Sequence, residues 1–384
     1  MKYFYIAFRK PHLTKSTVKL AVIKETKPFE RRVALTPDVC KQLIQAGFEC
    51  IIEKDAGKSS YFEDTSFTSV GASIETNKSA LLSSADVVLK VNPLTVEEIS
   101  HLKKGAVAIS FMYAATNQEM VEAAAKQNIS AFSVDAIPRI SRAQKMDALS
   151  SQANLAGYKS VIIGAYHLGK IFPLLMTAAG TIKPAKIVIM GAGVAGLQAI
   201  ATAKRLGAVV EVSDIRPETK EQVESLGGKF IEVKGDDSIK IEGGYVKGVS
   251  EDFLKKQQEV IAKHICEADL VITTALIPGK KAPMLIPEDV VKNMKFGSVV
   301  VDMAVEQGGN CACSEFGKTV EKHGVTIVGE PNIPSLLPLN ASELYAKNIA
   351  TFLTHLATKD GFKWELNEEI TKGSLIVHNG SILK

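Results

Sequence analysis

Short apolar runs recur along the chain, each followed by a stretch with helical spacing. VKLAVIKE (Val18–Glu25) has the pattern of a buried strand. Pro37 to Ala46 then has helix spacing, with Thr36 placed to cap it, Pro37 in its first turn and Gly47 to end it. FECIIEK (Phe48–Lys54), ADVVLKV (Ala85–Val91), AVAISFMY (Ala106–Tyr113) and NISAFSV (Asn128–Val134) predict further strands. A second series follows: AKIVIM (Ala185–Met190), AVVEVSD (Ala208–Asp214), DLVITTAL (Asp269–Leu276), SVVVDMA (Ser298–Ala304) and VTIVGE (Val325–Glu330). Strands alternating with helices imply parallel sheets covered on both faces. Between the series, Ser141 to about Phe172 reads as one long helix, a hinge with a cleft beside it. After Pro338, about Ala341 to Ala357 reads as an amphipathic helix. SLIVHNGSIL then predicts a hairpin turning at Asn379-Gly380 and packing back on the first domain. The pattern predicts an α/β protein: two Rossmann-like doubly wound parallel-sheet domains joined by long helices. Residues 1–146 with 340–384 form the first and 147–339 the second, with a long polar insertion at about 234–252.

Composition bounds this picture. A chain of 384 residues is too long for one ordinary core. Hydrophobic content of 46% and charge of 23% are those of a soluble globular protein. The net charge of +4 is spread out, and no basic patch interleaved with aromatics points to nucleic acid. No run approaches the roughly 18 apolar residues of a membrane span. Residues 1–17 lack a signal-peptide pattern and read as an extension of unknown role. The five cysteines, an odd number, point to a reduced, intracellular setting. Cys311-Ala-Cys313 has no second cysteine pair and no nearby His, so loop or core thiols are expected there and no metal site.

GAGVAG, Gly191 to Gly196, carries the clearest chemistry. It follows the strand KIVIM and opens the helix LQAIATAKRLG, and Asp214 ends the next strand. Gly191 makes the tight turn, Gly193 lets the backbone approach a pyrophosphate on the helix N-terminus, and Gly196 allows close helix–strand packing. Asp214 is placed to accept hydrogen bonds from the adenosine ribose, which favours NAD over NADP, while Arg216 two residues on is of a type that holds a 2′-phosphate. TTALIPG puts Ala275 and Leu276 where the nicotinamide pocket would be, or at a plain strand end. Glu306 lies at the cleft or is a solvated loop acid; Arg31, Arg32 and Lys90 are a carboxylate site or surface charge. The seven histidines are scattered, and none is placed as a catalytic base. The polar stretch Arg139 to Tyr158, RISRAQKMDALSSQANLAGY, is a hinge helix or a solvated linker by pattern alone.

RRVALTP, PRISRAQKMDALSSQANLAGY, GAGVAGLQAIATAKRLGAVV, TKEQVESLGGKF, TTALIPG and VDMAVEQGGNC together resemble the NAD(H)-binding domain I of proton-translocating nicotinamide nucleotide transhydrogenase, over about Lys19 to near the C-terminus. Residues 1–17 depart from that pattern. With no membrane helices, the chain resembles the separate soluble first piece of a split alpha subunit. The resemblance implies direct hydride transfer between NAD(H) bound here and NADP(H) on a partner. That partner is a membrane-anchored beta subunit, working with the alpha membrane piece and coupling the transfer to proton translocation. It implies a homodimer, cytoplasmic and peripheral at the inner face of the bacterial inner membrane. Arg139, Gln144 and Asp147 match the loop that holds and presents the nicotinamide, with Asp147 starting the interdomain helix. Ser150 matches a pyrophosphate or carboxamide contact; Val194, Asp214, Ile215 and Arg216 match adenosine-side contacts. Gly244 and Tyr245 match a mobile loop closing over the cofactor, and Gln257 and Leu276 further contacts.

The related alanine dehydrogenase has the same fold, with matches to Arg32 and Lys90 that bind pyruvate, a His where this chain has Tyr113 and an Asp where it has Glu306. A dehydrogenase that oxidises an amine needs a general base. Transfer from one nicotinamide to another releases no proton and needs positioning alone. An alanine dehydrogenase and a non-catalytic NAD-binding module are the rival readings.

Overall fold

Alternation along the strands places successive residues on opposite faces of each sheet. In the first sheet Leu20, Val22, Val87, Leu89, Ile109 and Phe132 share one core with Tyr345, Ile349, Phe352 and Leu356. Their neighbours Ala21, Ile23, Val88, Ala108 and Ala131 share another with Leu81, Leu82, Met120 and Val121. The computed structural model describes residues 17–232, 240–242, 245–247, 251–277 and 279–384. The first sheet has eight strands, in the order Ser381–Ile382, Leu375–His378, Ser130–Ser133, Val107–Ser110, Val87–Leu89, Lys19–Val22, Glu49–Glu53, Ser73–Glu75. The first two of that order are antiparallel additions from the C-terminal hairpin, and the other six run parallel. The hairpin turns at Asn379 and Gly380, at φ 46° and 80°. That pair of left-handed residues suits a two-residue turn matching the strand twist.

The second sheet runs Lys229–Phe230, Val209–Ser213, Lys186–Met190, Leu270–Thr273, Val299–Asp302, Val325–Gly329, Lys318–Lys322. Apart from the antiparallel last edge strand, this is the doubly wound dinucleotide-binding order. Lys186–Met190 and Leu270–Thr273 run parallel side by side, and the order in which strands are added reverses between them, where such folds open their ligand crevice. Phe230 and the exposed KTVEK edge strand carry too little apolar pattern to announce themselves.

The single helix from Ser141 to about Phe172 is not what forms. Ser141–Met146 is a tighter 3₁₀ stretch, Asp147 breaks it, and the α-helix runs Ala148–His167. Asp147 leaves the helical region at φ −73°, ψ 85°, and its carboxylate accepts from Ser150 N at 2.9 Å, satisfying a first-turn donor. At the other end Leu168 is extended, and Pro173 keeps Phe172 out of the helix. Ala148 lies in the first domain's core and Val161 in the second's, so the helix is anchored at both ends. The C-terminal helix, Pro338–Leu356, returns the chain to the first sheet.

Candidate active site

The strand Lys186–Met190 ends in Gly191, whose φ of +109° suits glycine and few other residues. A Cβ on Gly191 would lie 2.4 Å from Thr274 Oγ1, and one on Gly196 only 1.8 Å from the Gly191 carbonyl oxygen. At Gly193 a Cβ would meet nothing within 4 Å. The outer two glycines therefore serve packing, while the middle one keeps a face clear. Gly193 caps the helix Val194–Arg205 with no side chain of its own, leaving first-turn N–H groups for an anion. Sequence reading missed Gly157 on the long helix. A Cβ there would stand 2.1 Å from the Ala195 carbonyl oxygen, so the long helix seats directly on the glycine-rich turn. The signal was available: a glycine inside a helical pattern has a packing or functional reason.

Asp214 directly follows the adjacent strand Val209–Ser213. Its carboxylate accepts from Ala192 N at 2.6 Å and Arg216 N at 2.8 Å. It also accepts a fork from the Arg216 guanidinium, both bonds 2.9 Å. Arg216 is thus committed to Asp214 rather than held out for a 2′-phosphate. Val194 at the helix start, and Ile215, Leu276 and Ile277 after strand ends, are 40%, 38%, 41% and 40% exposed, apolar side chains suited to stacking on flat rings.

The loop behind Ala275 is held by groups that sequence reading passed over. Buried Asp302 accepts from Thr273 Oγ1, Ala304 N, Asn310 N, Cys311 N and Ser314 Oγ at 2.7–3.1 Å. Asn310 then donates from Nδ2 to the carbonyls of Ala275 (2.9 Å) and Pro283 (2.8 Å). An Asp within the apolar run SVVVDMA was the available sign, since a buried carboxylate demands donors.

In the polar segment Arg139 and Gln144 are exposed, and neither side chain hydrogen-bonds to any described residue. Asp147 and Ser150 partner each other, Ser150 Oγ donating to Asp147 Oδ2 at 2.6 Å. Asn348 of the C-terminal helix fixes the segment, donating to the Lys145 carbonyl and accepting from Ser151 Oγ, both at 2.8 Å. Ten residues of helix at 1.5 Å each put Asp147 about 15 Å along the axis from Gly157 and the glycine-rich turn. Gly244 lies outside the described residues. Tyr245 begins the strand Tyr245–Lys247, paired with Lys240–Glu242, and Gln257 lies in the helix Glu251–Cys266.

Arg32 and Lys90 are neither surface charge nor an open anion site. Arg32 is 7% exposed; its Nε and Nη2 fork onto Glu30 at 2.8 and 2.7 Å, and Nη1 donates to Gln152 Oε1 at 2.9 Å. Lys90 is 2% exposed and bound to Glu98 at 2.8 Å. Arg31 instead reaches the Tyr61 hydroxyl at 2.9 Å, over that ring. Burial would raise the Glu30 carboxyl, but the adjoining Arg32 guanidinium holds it down at about 2. Burial raises its neighbour Glu25 to about 7. Tyr113 is held left-handed at φ 46°, its N–H and that of Met112 donating to Asp135 at 3.2 and 2.7 Å. Its ring stacks on Phe111 with centroids 5.8 Å apart, and Tyr113 is 44% exposed. Glu306 accepts from Asn332 N at 3.1 Å and lies 3.9 Å from Lys27.

Histidines are engaged elsewhere. His264, His323 and His355 face Glu211, Glu288 and Glu368; His378 faces Ser130, His101 faces Ser79 and His167 packs on Tyr166. His12 lies outside the described residues. Among the described residues no group of three His, Cys, Asp or Glu side chains is arranged to hold a metal. No described helix is long and apolar enough to cross a membrane. A cavity of about 490 Å³, lined by Leu168, Lys170, Phe172, Pro173 and Leu206, lies at the far end of the long helix from Asp147 and is separate from this site.

Residues 21–156 match the model of the alanine dehydrogenase/PNT N-terminal domain, and residues 160–384 that of its C-terminal domain. The first of the separate alpha-subunit chains of the Rhodospirillum rubrum NAD(P) transhydrogenase is 51% identical over 376 residues, covering 95% of this chain and 98% of that one. A crystal structure of transhydrogenase from Sinorhizobium meliloti superposes with a TM-score of 0.86 at 44% identity, covering 95% of this chain and 99% of that one. An L-alanine dehydrogenase structure superposes at 0.79 and 28% identity, covering 95% and 97%.

Proposed function

The chain belongs to the alanine dehydrogenase/PNT family, and from that premise we propose that it is the NAD(H)-binding subunit of a proton-translocating NAD(P)+ transhydrogenase. NAD(H) lies across the crevice of the second sheet, its pyrophosphate on the turn Gly191, Gly193, Gly196 and its ribose at Asp214. The nicotinamide half extends past Ala275 and Leu276 toward Arg139, Gln144 and Asp147. Hydride passes directly to NADP+ bound on a membrane-anchored beta subunit, where the transfer is coupled to proton movement. Tyr245, Gly244 and Gln257 complete the cofactor's surroundings in this reading. The subunit sits at the cytoplasmic face of the inner membrane through its partners.

One observation carries the proposal. The first domain offers Arg139 and Gln144, whose side chains hydrogen-bond to no described residue, on a segment braced by the Asp147 cap, and the described histidines have partners elsewhere. Such a cleft can orient a nicotinamide, and the described histidines, engaged elsewhere, offer it no imidazole to carry a proton to an amine or alcohol. Arg32 and Lys90, which match pyruvate-binding residues, already face internal carboxylates.

A homodimer is part of the proposal. The two-stranded hairpin of Leu175–Thr177 and Gly180–Ile182 is exposed along its whole length and pairs with no other described strand, with Met176 73% exposed. Isolated hairpins are marginal in water, and a second copy would cover it. The test mixes the chain with a cognate NADP-binding domain and follows reduction of an NADP analogue by NADH. Transfer is expected. Turnover of pyruvate and ammonia instead would make it an alanine dehydrogenase, and NADH binding without transfer a mere cofactor-binding module.

A further inference from the structure

The chain crosses between its two sheets twice, at Asp147–Gln152 on the way out and at Asn332–Pro338 on the way back. One buried ion pair touches both crossings. Arg32 donates to Gln152 Oε1 at 2.9 Å, and Gln152, 5% exposed, donates from Nε2 to the Ala341 carbonyl at 3.1 Å. Glu30 accepts from Ser335 Oγ at 3.0 Å and Asn332 Nδ2 at 3.1 Å, besides Asn92 Nδ2 at 2.8 Å. Ser335 Oγ in turn accepts from Arg31 N at 2.6 Å. The loop bearing the pair is also clasped to the second domain. Asn332 Nδ2 reaches the Phe29 carbonyl at 3.1 Å, and Phe29 meets Phe316 edge-on at 5.7 Å between ring centroids. Phe29 and Asn332 are both left-handed, at φ 65° and 47°. For a bulky aromatic that conformation persists only where its surroundings enforce it.

We infer that the Glu30–Arg32 pair is a hinge pin. It binds both interdomain crossings and so sets the angle at which the second domain's cofactor crevice faces Arg139, Gln144 and Asp147. Glu30, Arg32 and Gln152 are then positioning residues, not substrate ligands. The carboxylate fork of Arg32 is spent on Glu30, which answers the choice the sequence left open for RRVALTP. The geometry suits a pin because Glu30, Arg32 and Gln152, on which the bonds converge, are all buried. Losing one arm leaves the ion pair but frees a crossing.

The role in transfer rests on the function proposed above; the mechanical claim does not. Spin labels at Lys126→Cys and Lys204→Cys, with Cys266→Ser and Cys313→Ser to remove the two thiols that are not fully buried, report the interdomain distance by pulsed electron–electron resonance. Gln152→Ala should broaden that distribution, change NADH affinity less than about threefold, and lower hydride transfer to a partner-bound NADP analogue at least tenfold. Gln152→Glu, which keeps the acceptor for Arg32, should recover much of both. Ser335→Ala is the milder second variant should Gln152→Ala fold poorly, and should broaden the distribution less. An unchanged distribution in folded Gln152→Ala and Ser335→Ala overturns the pin. A broadened distribution with unchanged transfer overturns its positioning role. If the parent chain transfers no hydride, the proposed function fails while the distance measurement still decides the pin.

Discussion

At the scale of single residues, Asp147 carries two duties that substitution can separate. It caps the long helix through Ser150 N, and it closes the segment that bears Arg139 and Gln144. Asn is as good a helix cap as Asp, whereas Ala forfeits about 1 kcal/mol. Asp147→Asn should therefore leave thermal stability nearly unchanged and NADH affinity within roughly tenfold, about 1.4 kcal/mol. Hydride transfer should fall much further, as stopped-flow measurement with the NADP-binding partner would show. Parallel losses in affinity and transfer would leave the carboxylate with no role beyond holding cofactor. Asp214 shows how far one residue is legible. Its position followed from the strand, glycine turn and next strand, but nothing in the sequence says that Arg216 folds back onto it. Residues two apart on an irregular segment have no fixed spacing rule, so that contact needs coordinates.

At the scale of elements, apolar period recovered the main strands because buried parallel strands are near-continuous apolar runs. It failed where helical spacing continued through a break. Ser141 to Phe172 keeps one pattern, yet Asp147 caps rather than continues, because a side-chain acceptor near a helix start competes with the backbone. The same helix makes the least forgiving contact of the site, Gly157 against Ala195. Gly157→Ala would normally favour a helix by up to about 1 kcal/mol. Here the added methyl would lie 2.1 Å from a carbonyl oxygen, so the helices must separate. The expected outcome is a loss of roughly 1–3 kcal/mol in denaturant unfolding and weaker NADH binding as the glycine-rich turn shifts. Gly169→Ala, where nothing stands within 4 Å, is the control. Equal effects of the two would remove the case for close seating.

At the scale of the molecule, the two parallel-sheet domains were foreseen from two strand series, but the network that ties their crossings together was not. Glu30, Arg32, Gln152, Asn332 and Ser335 are far apart in sequence and meet only once both domains are folded. Beside them Glu25 accepts from Val91 N at 2.6 Å and from Asn92 Nδ2 at 3.0 Å, with Glu30 and Lys90 the nearby charges. Burial raises its carboxyl from 4.5 to about 7, so the folded state holds a proton that the unfolded chain has released. Its stabilisation is complete below about pH 4.5 and is lost as pH rises to about 7, levelling off above. Glu30 behaves oppositely. Its carboxyl is lowered to about 2, so its contribution is present above pH 4.5 and is lost as pH falls toward 2. Around pH 5 both contributions are largely in place. Glu25→Gln mimics the protonated form at every pH. Its melting temperature relative to the parent chain should climb between pH 5 and pH 8, by an amount worth roughly 1–3 kcal/mol, and then stay level. A pH-independent difference would mean that Glu25 ionises in the folded chain as it does in water, and that its bonds to Val91 and Asn92 offset its burial.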